Sequence, residues 1–408
     1  MSQLELWQID SVDQLRRLAP AWDRLWERSE VTLPTARAEL VAQWVEHFGA
    51  GRALRVLVVE EGGDLVAALP LAGRRTHRVL PVGDVTWNYW SPNGELLVDP
   101  EADVPAVLDL LVAGLEQAPW PLLWLDLTPF ETPRWQALLG ALARRGLPAD
   151  VHLRYRIGQA EVDGDFETYF AQRSRAHRQG VRKSLRRLER SGPVELAAFC
   201  DFTPEEVDRR LREALVIEDR SWKHAPGRTV LSTRGMFEFY RRQARQLAEW
   251  GYLRLAFLEH RGKPIAFELG WTAKGVYHCF KVGYDPQCRG SSPGHVLRML
   301  LLQAFAKQPG HLVVDFQGPL TEAVARWSTG SYPIGRLVIA PRRLAGRVLM
   351  TGYRALAPVI RRLRAASGGT RADNRTKTPG DAPENAVPGR SEEPTVGGPG
   401  GQTGILVS

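Results

Sequence analysis

The chain of 408 residues exceeds one typical domain, so two are expected, and a hydrophobic content of 44% suffices for sizeable cores. A net charge of +8 and a pI near 9.6 suggest anionic ligands or surfaces. Three cysteines without paired spacing (Cys200, Cys279, Cys288) argue against a disulfide framework or a zinc site and for a reducing compartment. Met1–Asp10 lacks a signal-peptide pattern, and no apolar run approaches the ~20 residues that span a bilayer.

In chain order, Ser11–Glu30 and Ala36–Phe48 read as amphipathic helices. Leu54–Val59, a turn at Glu60–Asp64, and Leu65–Leu71 predict a hairpin. A shift of 199 positions carries Leu54, Arg55, Glu60, Gly63 and Ala67 onto Leu253, Arg254, Glu259, Gly262 and Ala266, which suggests a duplicated unit. Leu80–Gly94 holds the aromatic run Trp87-Asn88-Tyr89-Trp90-Ser91-Pro92, which either lines an acceptor pocket or forms a satellite core. Val104–Glu116 and Arg134–Arg145 predict helices around a buried strand at Leu122–Leu127. Phe166–Arg190 is the most basic segment, with a narrow stripe of Val181, Leu185 and Leu188. It reads as a surface helix with a solvated face or a nucleic-acid contact, although no aromatic residue interleaves after Phe170.

Val194–Phe199 predicts a strand. Pro204–Asp219 predicts a helix capped by Thr203, with Glu205 and Glu206 in its first turn. It runs into Trp222, Lys223 and a loop with Gly227, and Gly235–Trp250 is the next helix. Tyr252–Glu259, Pro264–Trp271 and Val276–Gly283 predict three strands joined by tight turns. The loop Asp285–Gly294 follows and opens the helix Val296–Ala306. Unpaired N–H groups at a helix start favour an anion, and Arg289-Gly290-Ser291-Ser292-Pro293-Gly294 offers such a cradle. Ser292 is the expected cap, Pro293 suits the first turn, and Gly294 lets a ligand approach. The loop is neither a Walker loop nor a G-x-G-x-x-G turn. His311–Phe316 predicts a buried strand carrying Asp315, followed by a helix through Trp327 and strands around Ser331–Ile339. Pro341–Arg364 is basic and amphipathic but interrupted by Gly346, Gly352 and Pro358; it would touch an anionic membrane or pack on the fold. Ser367–Gly401 is too poor in large apolar residues to order itself.

Arg289, Ser292 and Gly294 resemble the acyl-CoA diphosphate loop of the GNAT acyltransferases, Arg/Gln-x-x-Gly-x-Gly/Ala, with Ser in place of the first Gly. Gly283-Tyr284-Asp285-Pro286 followed by Ser292-Pro293-Gly294 resembles the Fem-like branch that includes CelD-type acetyltransferases of cellulose biosynthesis. The likeness spans Leu4 to Leu344 and is strongest from Tyr252 to Leu302. It implies an α+β chain of two tandem GNAT-like units, each a mostly antiparallel sheet flanked by helices. The expected divisions are 1–150 without a phosphate loop, 151–345 with the acyl-CoA loop, a basic segment 346–366 and a disordered tail 367–408.

The resemblance also implies that acetyl-CoA or another acyl-CoA is held by Val282, Gly283, Arg289, Gly290, Ser291, Ser292, Gly294 and His295. The acceptor, an amine or hydroxyl of a sugar, polysaccharide precursor or amino compound, would meet Arg175, Arg178, Trp222, Lys223, Trp87 and Tyr89. No metal is expected. Strand Pro264–Trp271 alternates bulky Ile265, Phe267, Leu269 and Trp271 with Ala266, Glu268 and Gly270. Small neighbours leave room around Glu268, which is either the expected general base or the partner of an Arg or Lys from the basic surface; Asp315 is the rival base, and Tyr284 would protonate the departing thiolate. Family members usually read Asp-Phe-Gly-x-Gly and then Tyr-Lys at the Asp315 segment. This chain keeps Asp315, Phe316 and Trp327 but not the glycines or the Tyr-Lys. Two alternatives stay open: aminoacyl transfer from charged tRNA to a cell-wall precursor, as in Fem enzymes, and a non-catalytic scaffold in envelope-polymer synthesis. The expected location is cytoplasmic, with peripheral contact at the inner membrane face through 341–364.

Overall fold

The computed structural model describes residues 3–49, 52–76, 80–162, 165–221, 228–307, 311–341 and 345–355. Trp222, Lys223, Gly227 and the tail 367–408 lie outside the described residues. The first half runs β1 (Leu4–Ile9), α1 (Val12–Arg17), α2 (Ala19–Arg28), α3 (Ala38–Phe48), β2 (Leu54–Glu61), β3 (Asp64–Thr76) and β4 (Leu80–Val85). It continues with α4 (Val104–Glu116), β5 (Leu123–Thr128), α5 (Pro133–Arg144) and β6 (Ala149–Val162). The second half has α6 (Phe166–Ala171), α7 (Arg175–Ser191), β7 (Val194–Phe199), α8 (Pro204–Arg220), α9 (Met236–Glu249), β8 (Leu253–His260), β9 (Lys263–Ala273) and β10 (Val276–Tyr284). It ends with α10 (Pro293–Phe305), β11 (Leu312–Pro319), α11 (Glu322–Ala325) and β12 (Gly330–Ile339).

The helix expected at 11–30 is two helices. Pro20 stands in the first turn of α2, and its ring would clash with the Arg16 carbonyl in a continuous helix. The expected hairpin repeat is present in the backbone. β2 pairs β3 as β8 pairs β9, and each pair slips register at the same place, Val59/Glu60 in one and Leu258/Glu259 in the other.

Among the described residues one sheet of thirteen strands runs β1-β2-β3-β4-β5-β12-β6-β11-β10-β9-β8-β7, with the short strand Leu97–Val98 added on β3. Among the described strands only β4–β5 and β10–β11 pair in parallel. The two halves exchange their last strands: β12 pairs with β5, β6 pairs with β11, and β6 and β12 pair with each other. The division expected at residue 150 therefore falls inside β6.

The sheet encloses one shared core between α1–α3 of the first half and α8–α9 of the second, where His47 and Phe48 meet Phe239. On the opposite face, α4 and α5 cover the first half, and α6, α7 and α10 cover the second. Lys274, in the turn between β9 and β10, ties the halves together. Its ammonium donates to the carbonyls of Trp26, Ser29 (2.9 Å) and Val31 (3.0 Å) at the end of α2 and lies 4.3 Å over the Trp26 ring. A cation there complements the helix C-terminus. Residues 345–355, within the basic segment, are helical and pack through Met350 and Tyr353 on Trp124, with Arg354 paired to Asp150 at 2.8 Å.

Candidate active site

Two strands of the second half separate where the chemistry was expected. The parallel register of β10 and β11 ends at His278↔Asp315, yet β10 runs on to Tyr284 and β11 to Pro319. The opening starts beside a β-bulge. Leu269 faces Lys281 and Gly270 faces Cys279, so Phe280 is the extra residue. Gly270 is required there, because a Cβ would lie 2.2 Å from the His278 carbonyl oxygen. Past the bulge, Val282 is 43% exposed, while Gly283 is buried against Phe267.

The loop after β10 winds as a short 3₁₀ turn, Pro286–Ser291, with Arg289 exposed and the Gly290 carbonyl accepting from Arg187 (3.0 Å). Ser292 takes the position before α10, but its side chain caps no N–H, contrary to expectation. Its backbone is left-handed, φ 44° and ψ 54°, which explains why the related motif places glycine here. Gly294 is open: a Cβ there would meet only Tyr284, at 3.8 Å. Among the described residues its N–H makes no hydrogen bond, as the helix-start geometry requires of a cradle.

A cavity of about 440 Å³ lies between this helix start, α7 and the end of α11, lined in part by His177, Ser292, His295 and Arg326. The Trp327 indole N–H donates to His295 Nδ1 at 3.0 Å, which leaves the His295 proton on Nε2. His177 packs edge-on to Trp327 at 4.5 Å and its buried Nε2 has no partner. Burial pushes both imidazoles down to about 4, so both are neutral at pH 7.

The room expected around Glu268 is occupied. Arg298, from α10, donates through Nε (2.7 Å) and Nη2 (2.6 Å) to one carboxylate oxygen, Oε2, and its other contacts are Cys279 Sγ (3.0 Å) and the Phe316 ring. Glu268 is 1% exposed, and its carboxylate is taken up by the guanidinium instead of standing open to a ligand. The structure thus makes Glu268 half of a buried ion pair. Asp315 is also committed: Oδ1 accepts from the Gln317 backbone and side chain (both 2.9 Å), and Oδ2 accepts from Gln159 (3.2 Å) and Tyr332 (2.7 Å). Gln317 also donates to His278 Nδ1 (3.1 Å), so the opposite nitrogen, Nε2, donates to the Thr32 carbonyl (3.2 Å) of the first half. Burial lowers the His278 pKa, which keeps that ring neutral.

The expected acceptor residues divide. Arg175 is exposed at the start of α7, but the Arg178 guanidinium is committed to the Ala171 and Arg173 carbonyls, both at 2.5 Å. Trp87 packs into the sheet core, whereas Tyr89 is 70% exposed and approaches Tyr155. Trp90 reaches the second half, with its carbonyl accepting from Tyr240 (2.5 Å) and its ring 5.6 Å from the Lys281 ammonium. Lys281 in turn pairs with buried Glu218 at 2.9 Å. Arg298, His177, His278 and Lys281 escaped the sequence reading. A legible signal existed for two of them: one cation on the apolar helix after the loop, and one histidine in an apolar strand.

A bulged strand that parts from its parallel neighbour and feeds an anion-ready helix start defines a GNAT-type acyltransferase domain. Residues 175–323 match the family model described as "Acetyltransferase (GNAT) domain", so the chain carries such a domain and is a transferase. Among solved structures, FemX shares the fold at a TM-score of 0.53 with 11% identity, over 82% of this chain and 96% of that one. The C-terminal domain of a "Putative Lysylphosphatidylglycerol Synthetase from Agrobacterium fabrum" shares it at 0.50 with 14% identity, over 83% and 95%. A search of the curated proteins finds no match.

Proposed function

We propose that this chain transfers an acyl group, with acetyl the expected one, from acyl-CoA to an amine or hydroxyl of a sugar, polysaccharide precursor or amino compound, as the Fem-like and CelD-type resemblance implies. One observation carries the reading: β10 and β11 part beyond His278↔Asp315 and lead directly to the open Gly294 at the start of α10. The thioester lies between the parting strands with its diphosphate at that helix start. CoA supplies the activated acyl group, so the protein's part is orientation and stabilisation of the oxyanion. The acceptor attacks the carbonyl carbon, the C–S bond breaks, and the acceptor's proton passes toward the thiolate, with Tyr284 as the proposed acid. Glu268 and Asp315 hold the geometry through Arg298 and through the Gln317–His278 pair.

Acetyl-CoA at ~100 times its dissociation constant should stabilise the fold by about 2.7 kcal/mol, visible as a thermal shift. Gly294→Glu should abolish that shift; equal responses from both proteins would place the cofactor elsewhere. The exposed Arg182, Arg186, Arg187 and Arg190 on α7 favour the alternative donor, charged tRNA. A shift with aminoacyl-tRNA and none with acetyl-CoA would decide for it.

A further inference from the structure

The centre of the sheet is thinly covered. Where β6 and β12 pair between the halves, Leu127, Ile157 and Ile334 lie buried beneath the partly exposed Trp87, Tyr155 and Tyr332, and among the described residues no helix joins that cluster. Side chains alternate along β12, so Tyr332, Ile334 and Arg336 share one face. On β6 a bulge brings Arg154 to that face. Ile334 pairs with Tyr155 and Gly335 with Leu153, and both Arg154 (3.5 Å) and Arg336 reach Asp126. The four residues from Arg336 to Tyr332, at ~3.3 Å each, make a strip about 13 Å long. At its far end Tyr332 donates to Asp315 (2.7 Å), level with the point where β10 and β11 part. The charges along it are engaged: Asp126 holds two guanidiniums, and Asp315 holds Tyr332, Gln159 and Gln317. The Tyr155 hydroxyl is different. Its ring is half-buried, yet among the described residues the hydroxyl makes no hydrogen bond. Burial pushes its pKa up, with Tyr89, Asp126 and Asp315 adding to the shift and Arg154 opposing it, so the group stays a hydroxyl that can donate and accept. Beside it the Tyr89 ring stands 70% exposed, edge-on to Trp87 at 6.0 Å. A large ring held out in water serves no core; it offers a flat apolar platform.

We infer that this strip seats a saccharide chain as the acceptor, with one sugar ring stacked on Tyr89, a hydroxyl bonded to Tyr155, and the reacting amine or hydroxyl toward Asp315. A sugar ring has an apolar C–H face for the platform and a rim of hydroxyls for the mixed donors and acceptors of the strip. The engaged charges do not call for an ion. A strip of about 13 Å is longer than one sugar ring, which favours a chain over a monosaccharide. The inference rests on the acyl-CoA reading and narrows its acceptor to an oligosaccharide lying across the seam of the two halves.

The test titrates the full chain by calorimetry with three probes: cellotetraose, which offers hydroxyls alone; a β-1,4-linked glucosamine tetramer, which adds amines; and tetraglycine, a peptide amine. At least one saccharide should bind, and tetraglycine should not. Tyr89→Ala should weaken the saccharide roughly 10-fold and Tyr155→Phe roughly 3- to 10-fold, the worth of a stacked ring and of one hydrogen bond. Both variants should keep the native thermal response to acetyl-CoA, which shows them folded. No binding of either saccharide, binding that both substitutions leave unchanged, or a preference for tetraglycine overturns the inference; a thermal shift with acetyl-CoA would then leave the acyl-CoA reading standing. Saccharide binding that both substitutions weaken, in a native chain that gives no shift with acetyl-CoA, supports the seat and fells the acyl-CoA reading alone.

Discussion

Replacing Glu268 with Gln should destabilise the protein before it affects chemistry. The Arg298 side chain is 10% exposed and the Glu268 side chain 2%, and both short hydrogen bonds land on one carboxylate oxygen. The amide keeps the shape and one acceptor oxygen but removes the charge, leaving a buried guanidinium with neutral partners: the amide oxygen, Cys279 Sγ and the face of Phe316. Breaking a buried pair on one side costs about 3–5 kcal/mol. At about 2–4 °C per kcal/mol, the figure for domains of 150–250 residues, the melting temperature should fall on the order of 10 °C. Denaturant unfolding of Glu268→Gln reads the loss directly, and Glu268→Leu, Arg298→Met and the two combined close a cycle. The double variant should regain most of the loss, because apolar groups of similar volume replace a desolvated pair at little net cost. The reasoning is refuted if Glu268→Gln unfolds within about 1 kcal/mol of the native chain while acyl-CoA binding survives and turnover drops ~10²–10⁴-fold. That outcome would return the base to Glu268.

Acid should weaken the fold between pH 6.5 and about 4. His177 and His295 titrate near 4 when folded and near 6.5 when unfolded, so the unfolded chain binds more protons in that window. Their stabilisation is complete above 6.5 and is lost as pH falls toward 4, at up to about 1.4 kcal/mol per pH unit for each histidine. In unfolding curves taken across that range, His177→Phe should show a shallower pH slope, and an unchanged slope would refute the assignment. Ser292→Gly should raise stability by about 1 kcal/mol in chemical denaturation, since a left-handed L-residue costs roughly 1–2 kcal/mol and glycine returns part of that as backbone entropy. A loss instead would mean that the serine side chain holds the loop.

The duplicated hairpin was legible because one offset of 199 positions preserves both the apolar pattern and the turn glycines, and the backbone repeats even the slip in register. The helix α10 after the loop Pro286–Ser291 was legible from its 3.6-residue spacing. The fate of Glu268 was not. Alternation puts it among small residues, but whether that space stays empty depends on Arg298, 30 positions away on another element. The family glycines missing from this chain have a similar explanation. Ser292 and Gln317 both adopt positive φ, at 44° and 52°, so the left-handed turns persist without glycine. At Gln317 the added side chain bridges Asp315 and His278, a contact that no local pattern announces. β6 went unread although Val151, Leu153, Tyr155 and Ile157 alternate with His152, Arg154 and Arg156, a period-two signal masked by its charge.

The crossed final strands bear on how the chain emerges from the ribosome. β5 is made early, yet its neighbour β12 lies about two hundred residues downstream; the Thr128 hydroxyl bonds the Gly335 carbonyl across a separation of 207. At 5–20 residues per second the edge of β5 waits roughly 10–40 s for its partner. Over that interval the nascent first half presents an unpaired, apolar strand edge, the kind of surface that invites pairing with another chain. Holding factors or slow codons placed between the two halves would therefore change the yield of active protein without changing one contact in it.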